Sequence, residues 1–459
     1  MNTFSIYSHL PVAVQNWLIS LYSYKIERQR YGKGYEERLA ILKGSDFWTA
    51  EQIRAYKEEQ TFRIIEQAYH HCPYYKEKYD AAGVSPSSFT CLEDLEKFPV
   101  LTKEDVRANL EGMLADNVDR KTLIHYHTSG STGKALDFYW TKEGPINYEA
   151  TCSRYNERFG FSPRDLHLNF TGKIVVPLSQ NKPPYWRYKR MQHQYMLNMQ
   201  HITADKIQDI MDFIAQKHFK RFVGYPSIMN SLAVIAADRS FVLSDSPEFI
   251  CTSAEKMYDY QRENIARVFP NAVFIQHYGF SEQAGSASMC PKLVYHEDFE
   301  SGHFELHAPV ENDKGVTGTL LATGFVNMGM PFIRYNVGDT ATFAREKCTC
   351  GRQSQKIVEI EGRNEDYVIT PEGAHIMRFD YLLKETQTIK ECQVLQRATG
   401  RMVFRIVRRS NYTVTTEKEL LRQVREKISP TIGVDFEYVD EIPRTKAGKF
   451  KAVVSEIRH

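Results

Sequence analysis

A chain of 459 residues, 42% hydrophobic and 25% charged, is an ordinary globular composition and long enough for two or three domains with a sizeable core. Its 59 basic and 57 acidic side chains nearly cancel, so the basic clusters Arg187 to Arg190 and Arg405 to Arg409 read as solvated faces and no nucleic-acid partner is expected. The sequence has no run of roughly 18 or more apolar residues and no charged, then apolar, then cleavable leader, which predicts a cytoplasmic chain without stable membrane insertion; its eight scattered cysteines do not make a disulfide scaffold.

In chain order, Leu10 to Tyr24 is apolar but interrupted by Gln15, Asn16 and Ser20, which favours a docked amphipathic helix over a membrane contact. Residues 34–82 place Tyr35, Leu39, Leu42, Ile53, Tyr56, Phe62, Ile65 and Ala68 on repeating faces, so the chain opens with a helical lead-in taken to residue 120. Two β-rich runs, Leu123 to His127 and Ala135 to Trp140, then flank a Gly/Ser/Thr loop. A helix is expected over Ala254 to Val268, a strand over Asn271 to Gln276 and a loop over Phe280 to Gly285. That alternation predicts an α/β core with a site at strand ends. Strands with turns at Asn312 to Gly315 and Asn327 to Gly329 should fill Gly302 to Phe343. After Gly362-Arg363 the pattern becomes strand, helix, a strand pair around Gly400, helix Thr416 to Ile428 and strand Asp435 to Tyr438, a small α+β domain. The expected division is a large domain over 1–364 and a small one over 365–459.

The loop Thr128-Ser129-Gly130-Ser131-Thr132-Gly133-Lys134 combines four hydroxyls, exposed amides and a cation, which triphosphate oxygens require together. It is not a Walker A loop, because Thr128 stands where the first glycine belongs, Ala135 follows the lysine and a strand follows that. A plain Ser/Gly hairpin turn is the other reading.

With its neighbour His127, the loop resembles the signature of the adenylate-forming superfamily of acyl-CoA synthetases, luciferases and peptide-synthetase adenylation domains. The superfamily's further elements follow in order. His277-Tyr278-Gly279-Phe280-Ser281-Glu282 resembles the aromatic element in which the Tyr stacks on adenine and the Glu holds Mg²⁺. Arg334-Tyr335-Asn336-Val337-Gly338-Asp339 is similar to the element whose Asp binds the ribose hydroxyls. Glu361-Gly362-Arg363-Asn364-Glu365 resembles the hinge, with Arg363 near the nucleotide and Glu365 at the pivot, and Pro443 to Lys449 resembles the C-terminal lysine motif. The helical lead-in with Cys72-Pro-Tyr-Tyr75 narrows the likeness to phenylacetate-CoA ligase-like proteins, and within them to members associated with capsular polysaccharide gene clusters.

The resemblance implies a large α/β adenylate-forming domain of β-sheets and packed helices, followed by a small mobile α+β domain. It implies ATP and Mg²⁺ as cofactors, a carboxylic acid substrate and CoA as the default acceptor. A sugar amine acceptor in surface-polysaccharide assembly is the alternative, a non-catalytic nucleotide binder is a third reading, and a homodimer stays open. Glu282, Arg363 and Lys449 would be catalytic, Lys449 as the mobile cation of adenylation that a closing small domain delivers. Residues 128 to 134, Ser253, Ala254, Glu255, His277, Tyr278, Gly279 and Asp339 would bind the nucleotide, and Tyr225, Pro226, Ser253 and Ala254 would line the acyl pocket. The branch usually carries Gly-Ala-Glu-Pro where this chain has Ser253-Ala254-Glu255-Lys256, which departs from an aryl-acetate pocket.

Cys290, His296, Cys348 and Cys350 supply four soft or borderline ligands, and Gly351 permits the turn of a thiolate knuckle, so tetrahedral structural zinc is expected. Against it stand the tight Cys-x-Cys spacing, His303 as a rival to His296, and buried free thiols as the plain alternative.

Overall fold

The computed structural model describes residues 3–457 apart from 128–135, 163, 172–174, 178–179, 199–200, 362–367, 370, 372–374, 377–378, 380–381, 383–387, 430, 444–450 and 452. Two compact units emerge, one built from Met1–Leu166, Arg187–Tyr195 and Ile275–Gly362, the other from His167–Trp186, Met196–Phe274 and Arg363–His459.

In the first unit the lead-in folds as the helices Val12–Arg30, Tyr35–Gly44, Ala50–His71 and Pro73–Ala81. Ala50–His71 starts on a capping box: Thr49 Oγ1 accepts from Gln52 N at 3.3 Å and Gln52 Oε1 accepts from Thr49 N at 2.9 Å. It buries Ile53, Ile64, Ile65 and Ala68 at helical spacing. Cys72 is extended, and Pro73 opens the next helix at the position where a missing N–H costs nothing.

The sheet of this unit runs, edge inward, Gly302–Asn312, Gly315–Gly324, Tyr335–Phe343, Lys356–Glu361, Tyr295–Glu297, Ser286–Met289 and Val273–Gly279, each pair antiparallel. The expected turn closes the first hairpin, with Asn312 opposite Gly315. The lead-in is stitched to this sheet by backbone: Leu101 N donates to Arg334 O at 3.1 Å, and Asn336 N donates to Leu101 O at 2.9 Å. The Arg334 guanidinium caps Phe98 O at 2.6 Å and pairs with Glu305 at 3.1 Å. Behind the sheet lie buried charges: Arg154 meets Asp298 at 2.8 Å and Glu300 at 2.5 Å, and Lys57 meets Glu297 at 2.8 Å. Desolvation offsets most of the attraction in such pairs, while removing one partner leaves a buried charge uncompensated.

In the second unit the strands His167–Thr171, Arg221–Gly224 and Phe249–Thr252 are parallel, with Phe170, Gly224 and Thr252 in register. Residues 368–457 form a four-stranded sheet in the order Gly433–Tyr438, Arg401–Arg408, Ile389–Ala398, Val453–Ser455, parallel at both edges and antiparallel in the middle. The helix Val414–Lys427 packs Leu420 and Val424 into its core.

Two boundaries differ from the sequence reading. The helix expected from Ala254 begins at Asp259, because Ala254 sits at φ +67 and Tyr258 is extended, neither compatible with a right-handed helix. The following strand is Val273–Gly279 and so runs on to include His277 and Tyr278. Among the described residues no helix is long and apolar enough to cross a membrane.

Candidate adenylate-forming site and thiolate knuckle

Two separate motifs of the sequence converge in the first unit. Tyr278 ends one strand and Asp339 lies in another, and Tyr278 Oη donates to Asp339 Oδ2 at 2.6 Å. Glu282, 5% exposed, follows the first of these strands, and Tyr335 Oη donates to Glu282 Oε1 at 2.6 Å. Both are short phenol-to-carboxylate hydrogen bonds, which orient the accepting acid. A turn helps aim Asp339, since Gly338 N donates to Asn336 Oδ1 at 2.9 Å. His277 is held neutral by burial, and its Nε2 has no hydrogen-bond partner among the described residues. The hairpin Ile124–His127 with Asp137–Trp140 pairs antiparallel, His127 opposite Asp137, so the hydroxyl-rich segment joins paired strands.

In the second unit Tyr225 and Ser253 stand just past the carboxyl ends of adjacent parallel strands, where open α/β sheets carry their ligands. Tyr225 N donates to Phe170 O at 3.2 Å and Ser253 N to Gly224 O at 3.3 Å. Burial, with the Glu255 charge nearby, raises the Tyr225 phenol above its ordinary value. Gly224, at φ +144, is required here: a Cβ would lie 2.1 Å from Phe170 O. Pro226 sits at the start of the helix Pro226–Ala237. Thr128, Ser129, Gly130, Ser131, Thr132, Gly133, Lys134, Arg363, Glu365 and Lys449 lie outside the described residues.

The four zinc candidates come together, with one ligand atom from each and all four atoms within 4.8 Å of one another. Cys290 Sγ is 3.9 Å from Cys348 Sγ, and Cys350 Sγ is 3.3 Å from His296 Nε2. Tetrahedral zinc places two thiolates about 3.8 Å apart and a thiolate and an imidazole nitrogen about 3.5 Å apart, so the donor set fits the ion. His296 Nδ1 lies 3.4 Å from Ser354 O, an outer partner that leaves Nε2 facing the thiols. Burial drops the His296 pKa to about 4, keeping it neutral, and raises Cys348 to about 11. Burial also opposes ionisation of Cys350, but hydrogen bonds from Arg352, Cys348 and Cys290 together outweigh it and the thiol titrates below its usual value. Gly351, at φ +91, makes the knuckle turn. His303 instead faces Glu297, 3.6 Å away.

Tyr335 and Ser354 did not stand out in the sequence. The Tyr335 signal lay inside the motif quoted for Asp339, while a carbonyl such as that of Ser354 leaves no sequence signal at all.

Residues 368–456 match the CapK C-terminal domain family. Along the chain, the protein CapK of Staphylococcus aureus is 24% identical over 99% of both sequences. The phenylacetate-coenzyme A ligase of Thermus thermophilus is 24% identical over 88% of this chain and 96% of its own length. Among solved structures, 2-hydroxyisobutyryl-CoA ligase in its postadenylation state superposes with a TM-score of 0.69 at 16% identity, covering 90% of this chain and 91% of that one. The chain is a homologue of CapK and of the phenylacetate-CoA ligases. Its fold is that of the adenylate-forming acyl-CoA ligases, a large N-terminal part and a small C-terminal one.

Proposed function

We propose that the chain activates a carboxylic acid with ATP, releasing pyrophosphate and forming an acyl adenylate, and then passes the acyl group to CoA in the cytoplasm. The observation that carries this reading is the pairing of Tyr278 with Asp339 at 2.6 Å, beside the pairing of Tyr335 with Glu282. Residues drawn from separate motifs are thereby held together, which supports a nucleotide site there. Tyr278 would offer its face to adenine, Asp339 its carboxylate to the ribose hydroxyls, and Ser253, Ala254, Glu255, His277 and Gly279 the remaining contacts. Tyr225 and Pro226 would line the acyl pocket with Ser253 and Ala254.

Attack of a carboxylate on the α-phosphorus brings two anions together, so positive charge must offset them in the transition state. Mg²⁺ held on Glu282 would supply part of it. Lys449 is assigned as the cation of adenylation, Arg363 as a nucleotide contact, residues 128 to 134 as the triphosphate clamp and Glu365 as the pivot between half-reactions. Zinc on Cys290, His296, Cys348 and Cys350 would staple the segment after Glu282 to the one after Asp339, with no part in the chemistry.

The second reading, raised by the sequence resemblance to members associated with capsular polysaccharide gene clusters, is delivery of the acyl group to a sugar amine. Pyrophosphate release across aryl, fatty, amino and sugar acids, with and without CoA, tests both. Release with one class of acid, and turnover that requires CoA, is expected; turnover that instead requires an amine selects the second reading. No release on any acid, together with no ATP binding by calorimetry, would overturn the enzyme.

A further inference from the structure

The helix Val12–Arg30 is mounted with polar side chains inward. Gln15 is buried, accepts from Arg187 Nε at 2.6 Å and donates to Leu10 O at 2.8 Å. Asn16 Oδ1 accepts from Tyr188 N at 2.9 Å, Ser20 Oγ from Arg190 N at 3.1 Å and Glu27 from Gln192 at 2.8 Å. Outward, at positions i, i+3, i+7 and i+10, stand Val14, Trp17, Leu21 and Tyr24, with Trp17 62% exposed and Tyr22 beside them at 68%. This inverts the usual amphipathic helix, which spends its apolar stripe on the core.

Charge follows the same design. From Met1 to Tyr24 there is no Lys, Arg, Asp or Glu, in a chain that is 25% charged; Lys25, Glu27, Arg28, Arg30 and Lys33 then follow. Glu27 and Arg30 are turned to Gln192 and Glu149. The charges left exposed on the helix itself, Lys25 and Arg28, are both positive, with Lys33 just beyond it, and the exposed acids Glu36 and Glu37 belong to the next helix. An uncharged ridge carrying Trp and Tyr and ending in exposed cations is complementary to an anionic bilayer surface, where aromatic rings sit at headgroup level and each nearby cation adds to binding. A second protein chain fits less well, because stable protein interfaces use roughly 20–30 residues a side and this ridge offers a handful.

We infer that the outward face of Val12–Arg30 docks the protein peripherally on anionic lipid. The test is sedimentation of the full chain with vesicles of phosphatidylcholine plus phosphatidylserine, and with phosphatidylcholine alone. The wild type should pellet with the anionic vesicles and be released by salt. Trp17→Ser/Leu21→Ser and Lys25→Glu/Arg28→Glu should each weaken binding about tenfold or more at unchanged Tm, the positions being exposed. Should the first variant fold poorly, the second still decides. Wild type absent from the pellets, or equal binding by the wild type and a folded variant, overturns the inference. So does a dimer in light scattering that Trp17→Ser dissociates while vesicle binding is absent.

Discussion

The cation site proposed at Glu282 needs its buried carboxylate to point one way, and Tyr335 orients it through one 2.6 Å bond. Removing a hydrogen bond to a charged group costs about 1.5–3 kcal/mol. Tyr335→Phe should therefore lower the rate of acyl-AMP formation by roughly 10- to 100-fold and raise the Mg²⁺ concentration needed for half-maximal rate, with the fold intact by circular dichroism. An unchanged Mg²⁺ requirement would remove Tyr335 from the site. At Lys449 the expectation is a split: Lys449→Ala should nearly abolish acyl-AMP formation yet leave acyl transfer from supplied acyl-AMP largely intact, measured as two half-reactions. Equal loss of both would count against one lysine serving one step. Glu282 and Asp339 were singled out from sequence because their neighbours form ordered motifs. Tyr335 was not, since a Tyr at the start of a strand reads as core, and the hydroxyl's partner lies 53 residues away.

At the scale of elements, local backbone decides what pattern cannot. Periodicity put the start of a helix at Ala254, but the left-handed turn there delays it to Asp259 and leaves Ser253 to Lys256 as an irregular segment at a strand end. Gly224 controls the same region through its contact with Phe170 O. Gly224→Ala should lower stability by several kcal/mol, on the order of 3 or more, read as a fall in Tm or loss of soluble protein; a normal Tm would mean the two strands can part. The thiolate knuckle was legible as four donors, though not in which histidine joins: His296 faces Cys350 while His303 turns to Glu297. Metal analysis of carefully purified protein should find about one zinc per chain. Cys348→Ser should lose that zinc and lower Tm, with the rate per folded molecule nearly unchanged, and zinc-free wild type would refute the site.

For the whole molecule the sequence announced the class of fold, through helical lead-in, alternating core and a small terminal α+β part, because hydrophobic period and turn residues report on elements directly. It was silent on the buried charges, whose partners lie far apart along the chain: Lys57 and Glu297 are 240 residues from one another. That pair gives the fold a defined response to acid. Burial alone would raise Glu297, but Lys57, then His303, overcome it and hold the carboxylate at about 2, below its ordinary 4.5. Its contribution, roughly 3 kcal/mol, is complete above pH 4.5 and lost as pH falls from there through 2. His277 and His303 act earlier and in the same direction: burial lowers both from 6.5, so below that pH the unfolded chain takes up protons that the folded chain refuses. Thermal melts from pH 8 to 3 should therefore show Tm falling first below about 6.5 and again below about 4.5. Glu297→Gln strands the Lys57 ammonium and should lower Tm at pH 7, by a loss of about 3–5 kcal/mol, while flattening the second fall and leaving the first. A second fall as steep in the variant as in the wild type would place the acid sensitivity on other carboxylates, such as Asp298 and Glu300 around Arg154.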